Sequence, residues 1–121
     1  MAEKIFDLKK RTYNFALDII KFLENLPKDY IAGTIGKQLL RSSTSIGANI
    51  IEAQASSSKK DFSNFYSYAL KSANESKFWL GILKDSKKAS EDKVMPLLDE
   101  AKELANILAS SILTMKGKNK F

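Results

Sequence analysis

Apolar residues recur along this chain at helical spacing, in four segments separated by short polar stretches. The segments cover residues 6–26, 30–56, 59–85 and 91–115. Within each segment, apolar side chains three or four residues apart fall on one face of a helix. Pro27 directly follows the first segment, and a helix normally ends at or before the residue that precedes a proline. No segment shows the strict alternation of a β-strand, so the pattern predicts an all-α fold.

Each predicted helix has an apolar face that can pack into a common core. Ser58 and Ser90 each precede carboxylates in the first helical turn, so both are predicted to cap the helices that follow them. The three connections are short, which favours antiparallel neighbours and an up-down-up-down four-helix bundle. We expect one domain over residues 1–121, with a basic tail at 116–121. The predicted core includes, one from each helix, Phe15, Ile46, Leu80 and Leu104.

The second and third helices carry more apolar surface than one core requires. On the third helix, a second stripe nearly opposite the core face contains Tyr68, Trp79 and Ile82. The second helix is poor in charge and carries Leu40 and Ile51 on a further side. Exposed apolar rows usually mark contact surfaces, so these five residues are predicted to form the interface of a symmetric homo-oligomer. The alternative is a wide helix face inside the same core.

The composition excludes several kinds of chemistry. The chain contains no cysteine and no histidine, so it can form no disulfide framework, cysteine zinc site or histidine-dependent catalytic pair. We therefore expect no catalytic residue, no cofactor and no metal site, and a protein that is not an enzyme. The absence of a long apolar run and of an apolar leader favours a cytoplasmic protein without a membrane partner.

The charge balance favours an acidic partner. Lys and Arg number 20 against 14 Asp and Glu, which gives a net charge of +6. Lysines neutralise phosphates and release counterions, so they provide affinity for nucleic acid that does not depend on base sequence. The alternative for each basic residue is an ordinary solvated position. The candidates for nucleic-acid binding are Lys9, Lys10, Arg11, Lys37, Arg41, Lys59 and Lys60.

Several polar residues lie on helices that we expect to be largely covered. They are Ser45, Asn49, Glu52, Ser72 and Glu75. One interpretation is a carboxylate pair for acid–base chemistry or metal binding. The other is a hydrogen-bond network that fixes helix register within or between subunits. We favour the network, because the chain lacks the histidines that accompany glutamates in di-iron bundles.

The second and third helices also carry a family resemblance. The matching residues, in order, are Arg41, Ser45-Ile46, Asn49-Ile50, Glu52, Ser58-Lys59-Lys60-Asp61-Phe62, Ser72 and Glu75. This series resembles the signature of the 23S rRNA intervening-sequence protein family. Two positions depart from the family pattern, because Gly47 replaces a usual proline and Ala53 replaces a usual glycine.

The resemblance implies an all-α bundle that assembles as a homopentamer and is encoded in intervening sequences of bacterial 23S rRNA genes. A similar fold serves as the accessory protein of diversity-generating retroelements, where it binds a reverse transcriptase and nucleic acid. Two hypotheses follow. The first is a non-enzymatic oligomeric protein that associates with RNA through a basic surface. The second is a structural scaffold that docks an enzyme such as a reverse transcriptase.

Overall fold

The computed structural model describes residues 8–119, and the secondary structure in this part of the chain consists of four α-helices. They are α1 (Leu8–Glu24), α2 (Tyr30–Ala55), α3 (Lys59–Asp85) and α4 (Glu91–Asn119). The all-helical prediction with four helices is therefore confirmed. Residues 6 and 7 of the first predicted segment, and the last two residues of the predicted basic tail, lie outside the described residues.

The helix ends follow from local hydrogen bonds. At the end of α1, just before Pro27, the backbone hydrogen bonds join residues three apart instead of four. The Asn25 N–H donates to the Phe22 carbonyl, and the Leu26 N–H donates to the Leu23 carbonyl. At the start of α3, the Ser58 side chain accepts a hydrogen bond from the Asp61 N–H at 3.1 Å. At the end of α4, the helix continues through the first part of the predicted basic tail as far as Asn119.

Two further caps were not predicted from the sequence. Asp29 caps α2 by accepting a hydrogen bond from the Ala32 N–H at 2.8 Å. That bond, together with the nearby Lys88 ammonium group, lowers the pKa of the Asp29 carboxyl group. The α3 helix ends at Asp85, and Lys87, two residues later, has a φ of 63° in the left-handed region that usually favours glycine.

One apolar core runs between the helices. Phe15, Ile46, Leu80 and Leu104 contribute from α1, α2, α3 and α4 respectively, and each is at most 2% exposed. The most extensive contact is between α2 and α3, and the smallest of the main contacts is between α1 and α4.

A buried hydroxyl pair lies in the α2–α3 contact. The Ser42 and Ser76 hydroxyl oxygens are 2.9 Å apart, and the Ser76 hydroxyl also donates to the Ser72 carbonyl. Both buried hydroxyl groups are therefore satisfied, which avoids the cost of an unpaired polar atom in the core.

Glycines in α2 allow α1 to approach closely. A Cβ atom added at Gly47 would lie 3.1 Å from Thr12 Oγ1, and one added at Gly36 would lie 3.3 Å from Leu23 Cδ2. These contacts occur in opposite order along the two helices. The position of α1 on α2 therefore depends on the small size of these residues.

An ion pair joins α1 to α4, where the helices share little other contact. Arg11 Nη2 lies 2.6 Å from Glu100 Oε1, and Arg11 Nε lies 3.1 Å from Glu100 Oε2. A second carboxylate, that of Glu103, lies 3.5 Å from Arg11 Nη1. The hydrogen bonds to Glu100 raise the pKa of the Arg11 guanidinium, which two-point contact with a carboxylate keeps charged.

Two glycine-to-alanine substitutions test the close approach of α1 to α2. Gly33→Ala should raise the free energy of unfolding by about 1 kcal/mol, because nothing lies within 4 Å of the added Cβ and alanine favours a helix. Gly47→Ala should be less stable than Gly33→Ala by about 1 kcal/mol or more, because Thr12 must move. Urea denaturation measures both values. Equal stabilisation by the two substitutions would contradict the close contact.

A double-mutant cycle tests the ion pair between α1 and α4. Arg11→Met and Glu100→Gln should show a coupling free energy of about 0.5–1 kcal/mol, because the pair is only partly exposed and is bonded at two points. Urea denaturation in low and high salt measures the coupling, which should fall as salt is added. Lys10→Met serves as the control, since Lys10 is exposed. A coupling of zero in low salt would mean that the pair contributes nothing to stability.

Candidate functional site

A concave apolar groove lies between α1 and α2, beside the close contact of the two helices. Its volume is about 640 Å³. The small side chains of Ala16 and Ala48, together with Gly47, leave this space open. The residues that line it are Lys9, Lys10, Thr12, Tyr13, Ala16, Thr44, Gly47, Ala48 and Ile51.

Most of the basic candidates are exposed and unpaired. Among the described residues, six of them form no ion pair, and these are Lys9, Lys10, Lys37, Arg41, Lys59 and Lys60. Arg11 differs, because its guanidinium is held by Glu100 and Glu103. The positive charge of Arg11 is therefore balanced by described carboxylates, whereas no described carboxylate pairs with the six others.

Four of the unpaired lysines lie near one end of the helices. The contact of Thr12 with Gly47 places the start of α1 beside the second half of α2. The α2 helix ends at Ala55, and a three-residue connection leads to α3. We call this region the basic end, and its residues are Lys9, Lys10, Lys59 and Lys60. Lys37 and Arg41 lie in the first half of α2, away from the basic end, and Lys37 borders a separate, smaller groove beside the α1–α2 connection.

The structure does not bring the predicted interface residues together into one surface. Tyr68 is 49% exposed on α3, whereas Leu40 and Ile51 border the two grooves between α1 and α2. Trp79 and Ile82 are only partly buried, and Trp79 packs against the core.

The environment of Trp79 is that of a wide helix face rather than of a separate exposed stripe. Its ring meets the ring of Phe78 edge-on, with centroids 5.0 Å apart. Its indole Nε1 is buried and has no hydrogen-bond partner among the described residues. Phe78, by contrast, is 58% exposed, so it extends the exposed apolar surface of α3.

An exposed apolar strip on α1 was missed by the sequence interpretation. Tyr13, Leu17 and Ile20 are 66%, 41% and 39% exposed, at positions i, i+4 and i+7. This spacing is visible in the sequence, since the three residues define a helix face of their own that is turned away from the core face. The core stripe of the same helix contains most of its apolar residues, so the periodicity of the sequence draws attention to that stripe alone.

The predicted polar network residues mainly bond within their own helices. The Ser45 hydroxyl donates to the Arg41 carbonyl at 2.7 Å, and Asn49 Nδ2 donates to the Ser45 carbonyl at 2.9 Å. Ser72 is buried and its carbonyl accepts the Ser76 hydroxyl.

The two glutamates of that predicted network, Glu52 and Glu75, are exposed, and neither forms a hydrogen bond or ion pair with a described residue. No group of three or more Asp, Glu, Cys or His side chains among the described residues could hold a metal ion. Within residues 8–119, no helix combines the length and the apolar character needed to cross a membrane.

Comparisons with known proteins agree with this all-helical architecture. The family model described as 23S rRNA-intervening sequence protein matches residues 4–110. A crystal structure from Bacteroides thetaiotaomicron VPI-5482, described as a protein with unknown function from the S23 ribosomal protein family, is 34% identical with a TM-score of 0.80. The match covers 87% of this chain and 97% of that chain. No curated protein matches. The chain belongs to the 23S rRNA-intervening sequence protein family.

Proposed function

We propose that this protein is a non-enzymatic, oligomeric RNA-associated protein of the cytoplasm, and that its basic end contacts RNA phosphates. The observation that carries the proposal is a set of exposed lysines at that end that have no ion-pair partner among the described residues, namely Lys9, Lys10, Lys59 and Lys60. Each lysine that neutralises a phosphate releases condensed counterions, which provides affinity for any base sequence.

The helix arrangement that we propose is up-down-up-down. It is supported by the opposite order of the Thr12–Gly47 and Leu23–Gly36 contacts along α1 and α2. The short connections between the later helices favour the same antiparallel order. In this arrangement the last turns of α4, including the exposed Lys116, lie at the basic end as well.

The family supports an RNA partner, since its description refers to an intervening sequence of 23S rRNA. The family resemblance also implies a homopentamer, in which five copies of a +6 chain carry +30. A field of that size would attract RNA strongly at low ionic strength. The exposed side chains of Tyr68 and Phe78 on α3 support a contact between subunits, because large exposed apolar residues favour association.

A protein-binding scaffold, docking an enzyme such as a reverse transcriptase, is the second candidate. The exposed strip of Tyr13, Leu17 and Ile20 on α1 favours it, because it leaves an apolar surface uncovered in the single chain. The two functions differ in their salt dependence. An apolar protein contact changes little with added salt, whereas phosphate binding weakens steeply.

A salt series tests the RNA proposal. The logarithm of the association constant for a structured 23S rRNA fragment should fall linearly with the logarithm of salt concentration. The double variant Lys59→Ala/Lys60→Ala should reduce the magnitude of the slope of this line by about 1–2. Each phosphate contact that is lost lowers the number of counterions released on binding by slightly less than one. Fluorescence anisotropy measures the binding.

The matched control for this series is Lys28→Ala/Lys93→Ala, which removes the same charge from exposed positions away from the basic end. The control should retain the slope of the original protein. The proposal fails if the protein does not bind at low salt, if the slope is flat, or if both double variants weaken binding equally.

A substitution on the exposed face of α3 tests oligomerisation. Tyr68→Glu should weaken self-association by about tenfold or more, because it places a charge on an apolar contact. Sedimentation equilibrium measures the mass against the 13.5 kDa of one chain. Asn74→Glu, at another exposed α3 position, is the control and should remain assembled. Trp79→Glu is a poorer test, because Trp79 packs against the core. An original protein of 13.5 kDa at micromolar concentration would contradict the oligomer.

A further inference from the structure

We propose that the α1–α2 groove holds one unpaired nucleobase of a bound single strand, stacked on Tyr13, while Lys9 and Lys10 contact the flanking phosphates. This inference rests on the proposed nucleic-acid binding at the basic end. It adds the position of a base and the class of ligand, a single-stranded segment rather than a continuous duplex.

The groove provides a space that can take a planar ring. Its volume of about 640 Å³ lies within the usual range for small-ligand pockets, about 300–1,000 Å³. Ala16, Gly47 and Ala48 contribute little side-chain volume to its lining, and Ile51 adds an apolar side chain from α2. A nucleobase has two apolar faces, so this lining suits its faces better than its polar edges.

Tyr13 is placed to act as a stacking platform. It lines the groove and is nevertheless 66% exposed. Three aromatic pairs occur among the described residues, and Tyr13 belongs to none of them. Proteins that bind single strands combine such free aromatic rings with a basic track for the phosphates.

The charges around the groove complement a nucleic acid. Lys9 and Lys10 line it, are exposed, and have no ion-pair partner among the described residues. Among the described residues, none of those that line the groove is acidic. The neighbouring Arg11 pairs with α4 instead, so its carboxylate partners do not neutralise the two lysines.

The polar side chains in the lining have few free hydrogen-bond donors for the edge of a base. The Thr12 hydroxyl donates to the Lys9 carbonyl at 3.0 Å, and the Thr44 hydroxyl donates to the Leu40 carbonyl at 2.8 Å. Both hydroxyl protons are used within the helices that carry them. We therefore expect stacking without strong base preference, which is typical of binding that relies on ring faces.

The position of the groove explains why the ligand must be unpaired. In a duplex the two faces of each base are covered by the neighbouring bases. The Tyr13 ring can therefore stack only on a base that is not stacked within a duplex. The groove is continuous with the basic end, because Lys9 and Lys10 belong to both. On α2, only one helical turn separates Ile51 from the end of the helix at Ala55, after which Lys59 and Lys60 follow.

The test compares aromatic variants for binding to a labelled 12-nucleotide RNA of mixed sequence, alone and as a duplex. Tyr13→Ala should weaken single-strand binding about tenfold or more, while Tyr13→Phe, which keeps the ring, should stay within about twofold. Tyr30→Ala is the matched control, since Tyr30 is 86% exposed but does not line the groove, and it should bind unchanged. Tyr13→Ala should leave the salt slope unchanged because it removes no charge.

The outcomes separate this inference from the function on which it rests. Equal binding of the single strand by Tyr13→Ala and the original protein, with a normal salt slope, overturns base stacking and leaves phosphate binding intact. Equal affinity of the original protein for duplex and single strand also overturns it. Failure of the original protein to bind either RNA at about 50 mM salt removes the proposed function itself. A change in sedimenting mass on Tyr13→Ala without a change in RNA affinity would assign the groove to a second copy of the chain and overturn the inference.

Discussion

Helix α2 depends on its neighbours, because its own sequence favours a helix only weakly. Each of its three glycines, at 33, 36 and 47, costs about 1 kcal/mol relative to alanine. Packing compensates for this cost, since Gly47 allows α1 to approach closely and the Ser42 hydroxyl forms a hydrogen bond with the Ser76 hydroxyl on α3. The small residues that allow the α1–α2 contact also leave the groove beside it open. The fold and the candidate site therefore have one physical cause.

The four helices could be predicted from the sequence because their periodicity is long and regular. The start of α3 was also predictable, since Ser58 has the local geometry of a cap. Other ends were less so. The cap of α2 is the side chain of Asp29, which follows Pro27 by two residues. The α4 helix ends at Asn119, four residues beyond the predicted end at residue 115. Gly117 lies within that helix and does not adopt the positive φ of a glycine that caps a helix end.

The exposed surfaces could not be predicted in the same way, because a helical wheel gives angles but not the coverage by neighbouring helices. The α3 helix packs extensively against both α2 and α4, so the covered sector is wide and Trp79 falls within it. The α1 helix packs on α2 but touches α4 little, so the sector containing Tyr13 stays open. The width of the covered sector therefore differs between the two helices, and the sequence alone does not give it.

The distribution of ion pairs matters more for binding than the net charge. Arg11 and Lys88 have carboxylate partners on other parts of the chain, whereas the lysines of the basic end have none among the described residues. Asp61 lies beside that end in the first turn of α3, where its carboxylate interacts favourably with the helix dipole, and it forms no ion pair with a described residue. Unpaired lysines alone would attract any polyanion without orienting it. In the proposed site, a free aromatic ring in an adjoining groove would add a fixed contact, so Tyr13 beside Lys9 and Lys10 would give a bound strand a defined position.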